Sequence, residues 1–239
     1  MTPLLPIFAG LASFVIGAVI LRSFGPGYRV GRLLAATPTV TIGEAVEMAR
    51  AGGPERYVKV SGRIDAETDF EDDAHRPLVF RRTRLDLRVK KAWRSLDDQR
   101  EAVPFEVREG LDGIAVHHED LDAGLVVLPR ESVGTAADAP DRVPEGTDPA
   151  ATVRLLVQLV STVEHAIVVG VPTLDASGNP QVGAGLGRPL ILTTLETGEA
   201  MRILAGDHPR RPLAVAVSLV VGLVLVAIGL GWAVVDAFQ

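Results

Sequence analysis

The sequence predicts a membrane protein in which two transmembrane helices flank a mainly β soluble domain, barrel-like or built of two packed β units, with a short helix in front. Residues 213–235 contain no charged side chain and no side-chain amide. A helix of that length spans about 34 Å, slightly more than the hydrocarbon core of a bilayer. Residues 2–21 form a second uncharged run, and between the two runs short apolar/polar alternations are separated by turn-forming residues, a pattern typical of strands.

These patterns divide the chain into four segments. We expect a first transmembrane helix at residues 2–23, a juxtamembrane linker at 24–40, the β domain at 41–206 and a second transmembrane helix at 212–235. No basic residue precedes the first apolar run, so we expect a retained anchor and not a cleaved signal peptide. Arginines follow the first run and precede the second, which favours a multi-pass protein of the cell membrane with a cytoplasmic β domain.

Small residues recur every four positions in both apolar runs. They are Ala9, Ser13 and Gly17 in the first run, and Ala214, Ser218 and Gly222 in the second. Such a stripe lets two helices approach closely, so we predict either an antiparallel pair within one chain or a seam in a homo-oligomer. The alternative is that small residues are simply frequent in transmembrane helices.

A short helix is predicted in front of the first strand. Thr41 and Glu44 have the spacing of a capping box, in which each side chain bonds the other residue's backbone. Gly52, Gly53 and Pro54 would end this helix. Its apolar face consists of Ile42, Ala45, Val46 and Ala49.

A long charged strand is predicted at residues 78–91. Alternation places Arg82, Arg84, Arg88 and Lys90 on one face, together with Asp86. The other face is apolar and is expected in the core. The basic face either binds anionic lipid headgroups or an acidic partner, or is neutralised by acidic residues on neighbouring strands.

The remaining strands are predicted from β-branched runs and turn residues. We expect a turn around residues 95–98, then a hairpin from 103–108 and 113–117. Further strands are predicted at residues 125–128, 153–160, 166–171, 190–195 and 200–204. Two glycine- or proline-rich stretches, 135–149 and 178–187, are predicted as loops.

The β region resembles the GIDE-type domain that membrane-embedded mitochondrial ubiquitin ligases carry between two transmembrane helices, and that prokaryotic membrane proteins carry alone. The resemblance spans residues 57–204 and rests on five pieces of sequence. They are VKVSGRI at 58–64, PLV at 77–79, Trp93, PFEV at 104–107 and GIAV at 113–116. It implies an interaction module. The mitochondrial relatives place this domain away from the cytosol, so the resemblance leaves the membrane orientation open.

The chain contains no cysteine. A RING finger needs cysteine ligands for zinc, so the resemblance implies no ubiquitin-ligase activity here. We assign no catalytic residue, no metal ligand and no cofactor. The alternative is a metal-dependent membrane hydrolase that uses His117 or His118 together with the acidic stretch 69–75.

The function expected from these observations is a membrane-anchored interaction or scaffold module. Its partners would be the lipid bilayer and a protein of unknown identity. Nucleic acid is not expected, because the net charge is −6 and Trp93 is the one aromatic residue beside the basic face. A second alternative is a protein that senses anionic lipid through that face.

Overall fold

A computed structural model of the chain describes the backbone of residues 4–22, 26–205 and 210–237. The chain forms two units. One comprises Met1–Gly31 and Leu204–Gln239, and the other comprises Arg32–Ile203. The first unit is a helix pair and the second contains all the strands described below.

Helices lie at both ends of the chain and in front of the strands. They are α1 (Leu4–Arg22), α2 (Pro26–Ala36), α3 (Ile42–Ala51), α4 (Thr197–Ala205) and α5 (Arg210–Ala237). The predicted capping box is confirmed, because Thr41 and Glu44 bond each other's backbone amides in front of α3, and Gly52 ends α3 in the left-handed conformation. One prediction was wrong, because α4 replaces the strand expected at 200–204. α2 lies within the segment expected as a linker at 24–40.

Among the described residues, one helix is long and apolar enough to cross a membrane. This stretch of α5, Val215–Trp232, has a mean hydropathy of 2.5. The apolar part of α1, Pro6–Val19, is shorter. An α5 anchor is therefore supported by length and composition, whereas α1 alone falls short of the usual span of about 20 residues.

Twelve strands are present in the described residues. They are β1 (Val58–Asp65), β2 (Phe70–Glu71), β3 (Pro77–Val89), β4 (Ala92–Ala102), β5 (Glu106–Glu109), β6 (Asp112–Val116), β7 (Leu125–Val126), β8 (Arg130–Thr135), β9 (Thr152–Ser161), β10 (His165–Leu174), β11 (Pro180–Gly183) and β12 (Ile191–Thr193). The predicted β region is thus observed, in a chain that mixes helices and strands.

Five strands close into a barrel. Their order around the ring is β1-β5-β6-β11-β10 and back to β1, with β6 and β11 parallel and every other pair antiparallel. This connectivity is that of the five-stranded Greek-key barrel known as the OB-fold. The fold alone assigns no ligand, because unrelated functions share it. Beyond the ring, β12 pairs with β10, and β7 pairs with β12.

Barrel closure requires β1 to serve two neighbours. Its first six residues pair with β10, and residues 63–65 pair with β5, so the strand changes partner at Arg63. Gly62 lies just before that change, and a β-carbon added there would lie inside contact distance of the Arg108 carbonyl oxygen and 2.8 Å from Cγ1 of Val107. A residue without a side chain is needed there, because the two strands approach too closely for a β-carbon.

The second sheet, a half-barrel, has the order β2-β3-β9-β8. β2 pairs with the first two residues of β3, and β4 pairs with residues 80–89 of the same strand. The beginning of β3 contributes Phe80 to the main core inside the barrel. Farther along, Leu85 and Val153 belong to a separate small core under the second sheet. The hairpin of β3 and β4 therefore runs from the main core to the small core of the same unit.

Two turns differ from the prediction. The chain reverses at Lys90 and Lys91, and residues 95–98 belong to β4, where a register shift opposite Leu85 and Asp86 accommodates an extra residue. Serine and aspartate favour turns, and here a bulge absorbs them. Likewise, the glycine-rich stretch 178–187 contains β11, because long-range pairing with β6 and β10 holds residues 180–183 extended.

Candidate functional site

The first half of the predicted basic face is neutralised within the protein. Arg82 donates two hydrogen bonds to the Asp98 carboxylate, at 2.8 and 2.6 Å, and lies 3.1 Å from the Asp122 carboxylate. Hydrogen bonds from Arg82 hold the pKa of Asp98 below its usual value, and burial opposes this more weakly. Of the two interpretations, cross-strand pairing is the one that Arg82 shows.

The next ion cluster is centred on Asp86, which is 2 % exposed. Its carboxylate lies 3.0 Å from Nε of Arg84 and 2.7 Å from Nη2 of Arg154 on β9. The guanidinium carbon of Arg154 also lies 4.5 Å above the centre of the Trp93 ring. The cluster compensates the buried carboxylate and holds one face of Trp93 against Arg154.

The far end of the hairpin is different. We call residues 88–94 the hairpin tip; it contains Arg88, Lys90, Lys91 and Arg94 and no acidic residue. All four basic side chains are exposed, and within the described residues none has an ion pair or a side-chain hydrogen bond. Arg88 and Lys90 of the predicted face thus remain available to an anion, unlike Arg82 and Arg84.

Apolar surface is exposed among these charges. Val89 is 43 % exposed and Trp93 is 37 % exposed. Arg88 and Trp93 are paired across the two strands, so their side chains lie on the same face of the hairpin. Val89 is paired with Ala92, so it lies on the opposite face of the hairpin from Trp93. The tip therefore exposes an aromatic ring on one face and a branched side chain on the other, and both lie close to basic residues.

The two histidines are held separately, each by its own neighbours. Nδ1 of His117 lies 3.2 Å from the Asp120 carboxylate, which also accepts a hydrogen bond from the amide of Ala184. His118 is half-buried near Phe105, and burial lowers its pKa. Asp120 thus holds His117 while His118 packs against an aromatic ring.

The acidic stretch 69–75 is also occupied locally. The Asp72 carboxylate accepts hydrogen bonds from the guanidinium and the backbone amide of Arg76, and these bonds lower the pKa of Asp72 to about 2. Nδ1 of His75 lies 2.7 Å from the Glu71 carboxylate. Over the described part of the chain, no group of three or more histidine and acidic side chains is placed to hold a metal ion. Within the described residues, no hydrogen bond or ion pair joins this stretch to His117.

The small-residue stripes meet within the helix unit. The Ser13 hydroxyl donates a hydrogen bond of 2.8 Å to the Ser218 carbonyl. A β-carbon on Gly17 would lie 3.4 Å from Cβ of Ser218, and one on Gly222 would lie 3.1 Å from the Gly10 carbonyl oxygen. Residue numbers rise along α1 as those of its contacts fall along α5, so the two helices are antiparallel.

One of the six stripe positions, Ala9, does not contribute to this contact. Ala9 is exposed, and Gly10 packs against α5 in its place. The side chain of Ala214 lies outside the described residues. A spacing of four residues drifts around a helix of 3.6 residues per turn, whereas the spacing of Gly10, Ser13 and Gly17 stays on one face.

Comparison with known proteins finds no matching family model, no matching curated protein and no matching solved structure. The resemblance to GIDE-type domains therefore stays a prediction.

Three contributors to the hairpin tip and its support are not predicted from the sequence. The predicted strand 78–91 includes Lys91, because the turn is expected at 95–98, and no sequence pattern assigns Trp93 a part in binding an anion. Arg154 was not singled out, although it is the one charged residue in the otherwise uncharged run 153–160 and that pattern could have marked it. Asp122, by contrast, lies 40 residues from Arg82 in the sequence, and no local pattern connects them.

Proposed function

We propose that this chain is a multi-pass membrane-anchored β module that binds an anionic partner through its hairpin tip. The observation that carries the proposal is a contrast within the hairpin: Arg82 on β3 is neutralised, whereas Lys90 in the turn that follows β3 has no ion pair among the described residues. An uncompensated cluster of four cations in a chain of net charge −6 is suited to meeting negative charge on another surface.

The anchoring part of the proposal draws on α5 and on its packing with α1. α5 is apolar over a membrane-spanning length, and α1 packs along it through glycine and serine contacts. A helix that is paired in this way buries one face and leaves the other for lipid. We propose that both helices lie in the bilayer and that the β unit is cytoplasmic, in line with the arginines that flank both apolar runs.

The absence of cysteine makes a sharp test available, since one introduced thiol is unique. Ala92→Cys places the thiol on the exposed tip, and Leu111→Cys places a control thiol on a turn of β5 and β6 that is 95 % exposed. A thiol-linked photo-crosslinker on each variant is activated in membranes of the source organism.

We expect a discrete adduct from position 92 that is lost when Lys90 and Lys91 are both changed to Glu, and no such adduct from position 111. Equal labelling of surroundings from both positions would refute the proposed role of the tip. Labelling of position 111 by a membrane-impermeant thiol reagent, in sealed right-side-out and inside-out vesicles, tests the orientation. Reaction confined to right-side-out vesicles would refute a cytoplasmic β unit.

A further inference from the structure

The hairpin tip has the composition of a surface that rests on a charged membrane. Four cations lie within seven residues, and an indole ring and a valine side chain are exposed among them. Lysine and arginine are attracted to anionic headgroups, and tryptophan favours the region between headgroups and acyl chains. An acidic protein surface could also bury Trp93, but a chain whose α5 is apolar enough to cross a membrane is held beside lipid headgroups.

Trp93 is supported from one side by a neighbouring strand. Arg154 covers one face of the Trp93 ring and is itself held by the buried Asp86. Arg154 thereby restrains the orientation of the indole, and 37 % of Trp93 stays exposed. A fixed aromatic ring inserts into an interface with less loss of side-chain freedom than a mobile one.

The backbone of the turn also points to a role for the charges. Lys90 has φ of 57°, in the left-handed region, where asparagine or glycine would be less strained. A two-residue turn made of two lysines is therefore not the most stable choice for this hairpin. Strain of this kind is retained at functional positions when the side chain is needed.

We propose that the hairpin tip binds the anionic lipid headgroups of a bilayer, with Trp93 at the interface and Lys90 and Lys91 on the headgroup phosphates and carboxylates. This inference rests on the proposed function and names its partner. Each basic residue at a charged surface strengthens binding by about five-fold. Removal of both lysine charges is therefore expected to weaken binding by about 25-fold.

Trp93 can report this binding directly, because the chain has only two tryptophans. The full chain carrying Trp232→Phe is placed in nanodiscs of neutral phosphatidylcholine. Anionic lipid is then offered in two ways, as 30 % phosphatidylserine in the disc or as added vesicles of that composition. Lipids with brominated acyl chains quench a tryptophan that reaches the interface.

We expect the Trp93 emission to shift to the blue and to be quenched with anionic lipid but not with neutral lipid, and high salt to reverse both effects. Lys90→Asn with Lys91→Asn should raise the half-saturating lipid concentration about 25-fold. Asparagine suits this turn, so the hairpin is kept. Arg56→Asn with Arg130→Asn removes the same charge from exposed positions elsewhere on the β unit and should leave the response unchanged.

Two results would overturn the inference: no response of Trp93 to anionic lipid in either arrangement, or a response that survives loss of both lysines. An oligoglutamate peptide separates this failure from failure of the proposed function. If the peptide shifts the Trp93 emission and anionic lipid does not, the tip binds an acidic protein, and only the lipid assignment falls. If neither probe acts, the proposed role of the tip falls as well.

Discussion

Replacement of Gly62 by alanine tests how the barrel closes. A β-carbon at this position would lie inside contact distance of the Arg108 carbonyl oxygen and 2.8 Å from Cγ1 of Val107. The oxygen belongs to a paired strand backbone and cannot rotate away, so β1 and β5 must separate locally. Overpacking of this kind costs about 1–3 kcal/mol.

The expected net effect is a loss of about 2 kcal/mol in the free energy of unfolding. A clash with backbone puts the cost near 3 kcal/mol, and alanine recovers up to about 1 kcal/mol because it is less flexible than glycine in the unfolded chain. For a unit of this size, about 2 kcal/mol corresponds to a fall of roughly 4–8 °C in Tm. Gly53→Ala is the matched control, since nothing lies within 4 Å of its added β-carbon.

The measurement is thermal unfolding of the full chain in mild detergent, followed by the β signal in far-ultraviolet circular dichroism. The control should unfold at or slightly above the wild-type temperature. If Gly62→Ala does not fold, the double variant with Val107→Ala, which removes one of the two clashes, should recover part of the loss. A Gly62→Ala protein as stable as the Gly53→Ala control would show that β1 does not pass between two strands as described.

Three further predictions concern single side chains in the β unit. Lys90→Gly should raise the free energy of unfolding by about 1 kcal/mol, because it relieves the left-handed backbone, while weakening the lipid response of Trp93; a loss of stability would contradict the turn geometry. Asp98→Asn should cost up to about 1 kcal/mol at pH 7. Arg82 lowers the pKa of Asp98 in the folded state, so the stability difference between wild type and variant should persist down to the unfolded-state pKa of about 3.9. The difference should vanish as the pH falls through the folded-state pKa of Asp98, and chemical denaturation at several pH values measures the free energy of unfolding of both proteins. Burial lowers the pKa of His118, so on acidification this histidine is protonated first in the unfolded chain, and the free energy of unfolding should fall as the pH drops from 7 to 5. His118→Phe should make the free energy of unfolding less dependent on pH over that range. An unchanged pH dependence would show that another group titrates.

The parts of the fold that follow from neighbouring residues were predictable. The α3 helix is marked by its capping box and terminal glycine, and the strands from 58 to 65 and from 152 to 161 are marked by alternating or β-branched residues. The apolar length of α5 needs no partner to be recognised, because the cost of exposing it to water is a property of the segment itself.

The division of the basic strand could not be predicted, because it depends on residues distant in sequence. Arg82 on β3 is neutralised by Asp98 on the next strand and by Asp122 in the loop between β6 and β7. Lys90 and Lys91 escape such partners because the chain reverses between them, beyond the reach of β9.

The sequence by itself determined the α3 helix and the strands at 58–65 and 152–161, which segment is apolar enough for a membrane, and which face of β3 carries charge, since periodicity and local hydrogen bonding set all of these. Only the tertiary structure decided that five strands close into a ring through Gly62, that β6 and β11 run parallel, and which charges on β3 are left unpaired. Strand pairing is set by contacts between residues far apart in the chain, so the local sequence pattern of a strand does not show which strand it pairs with.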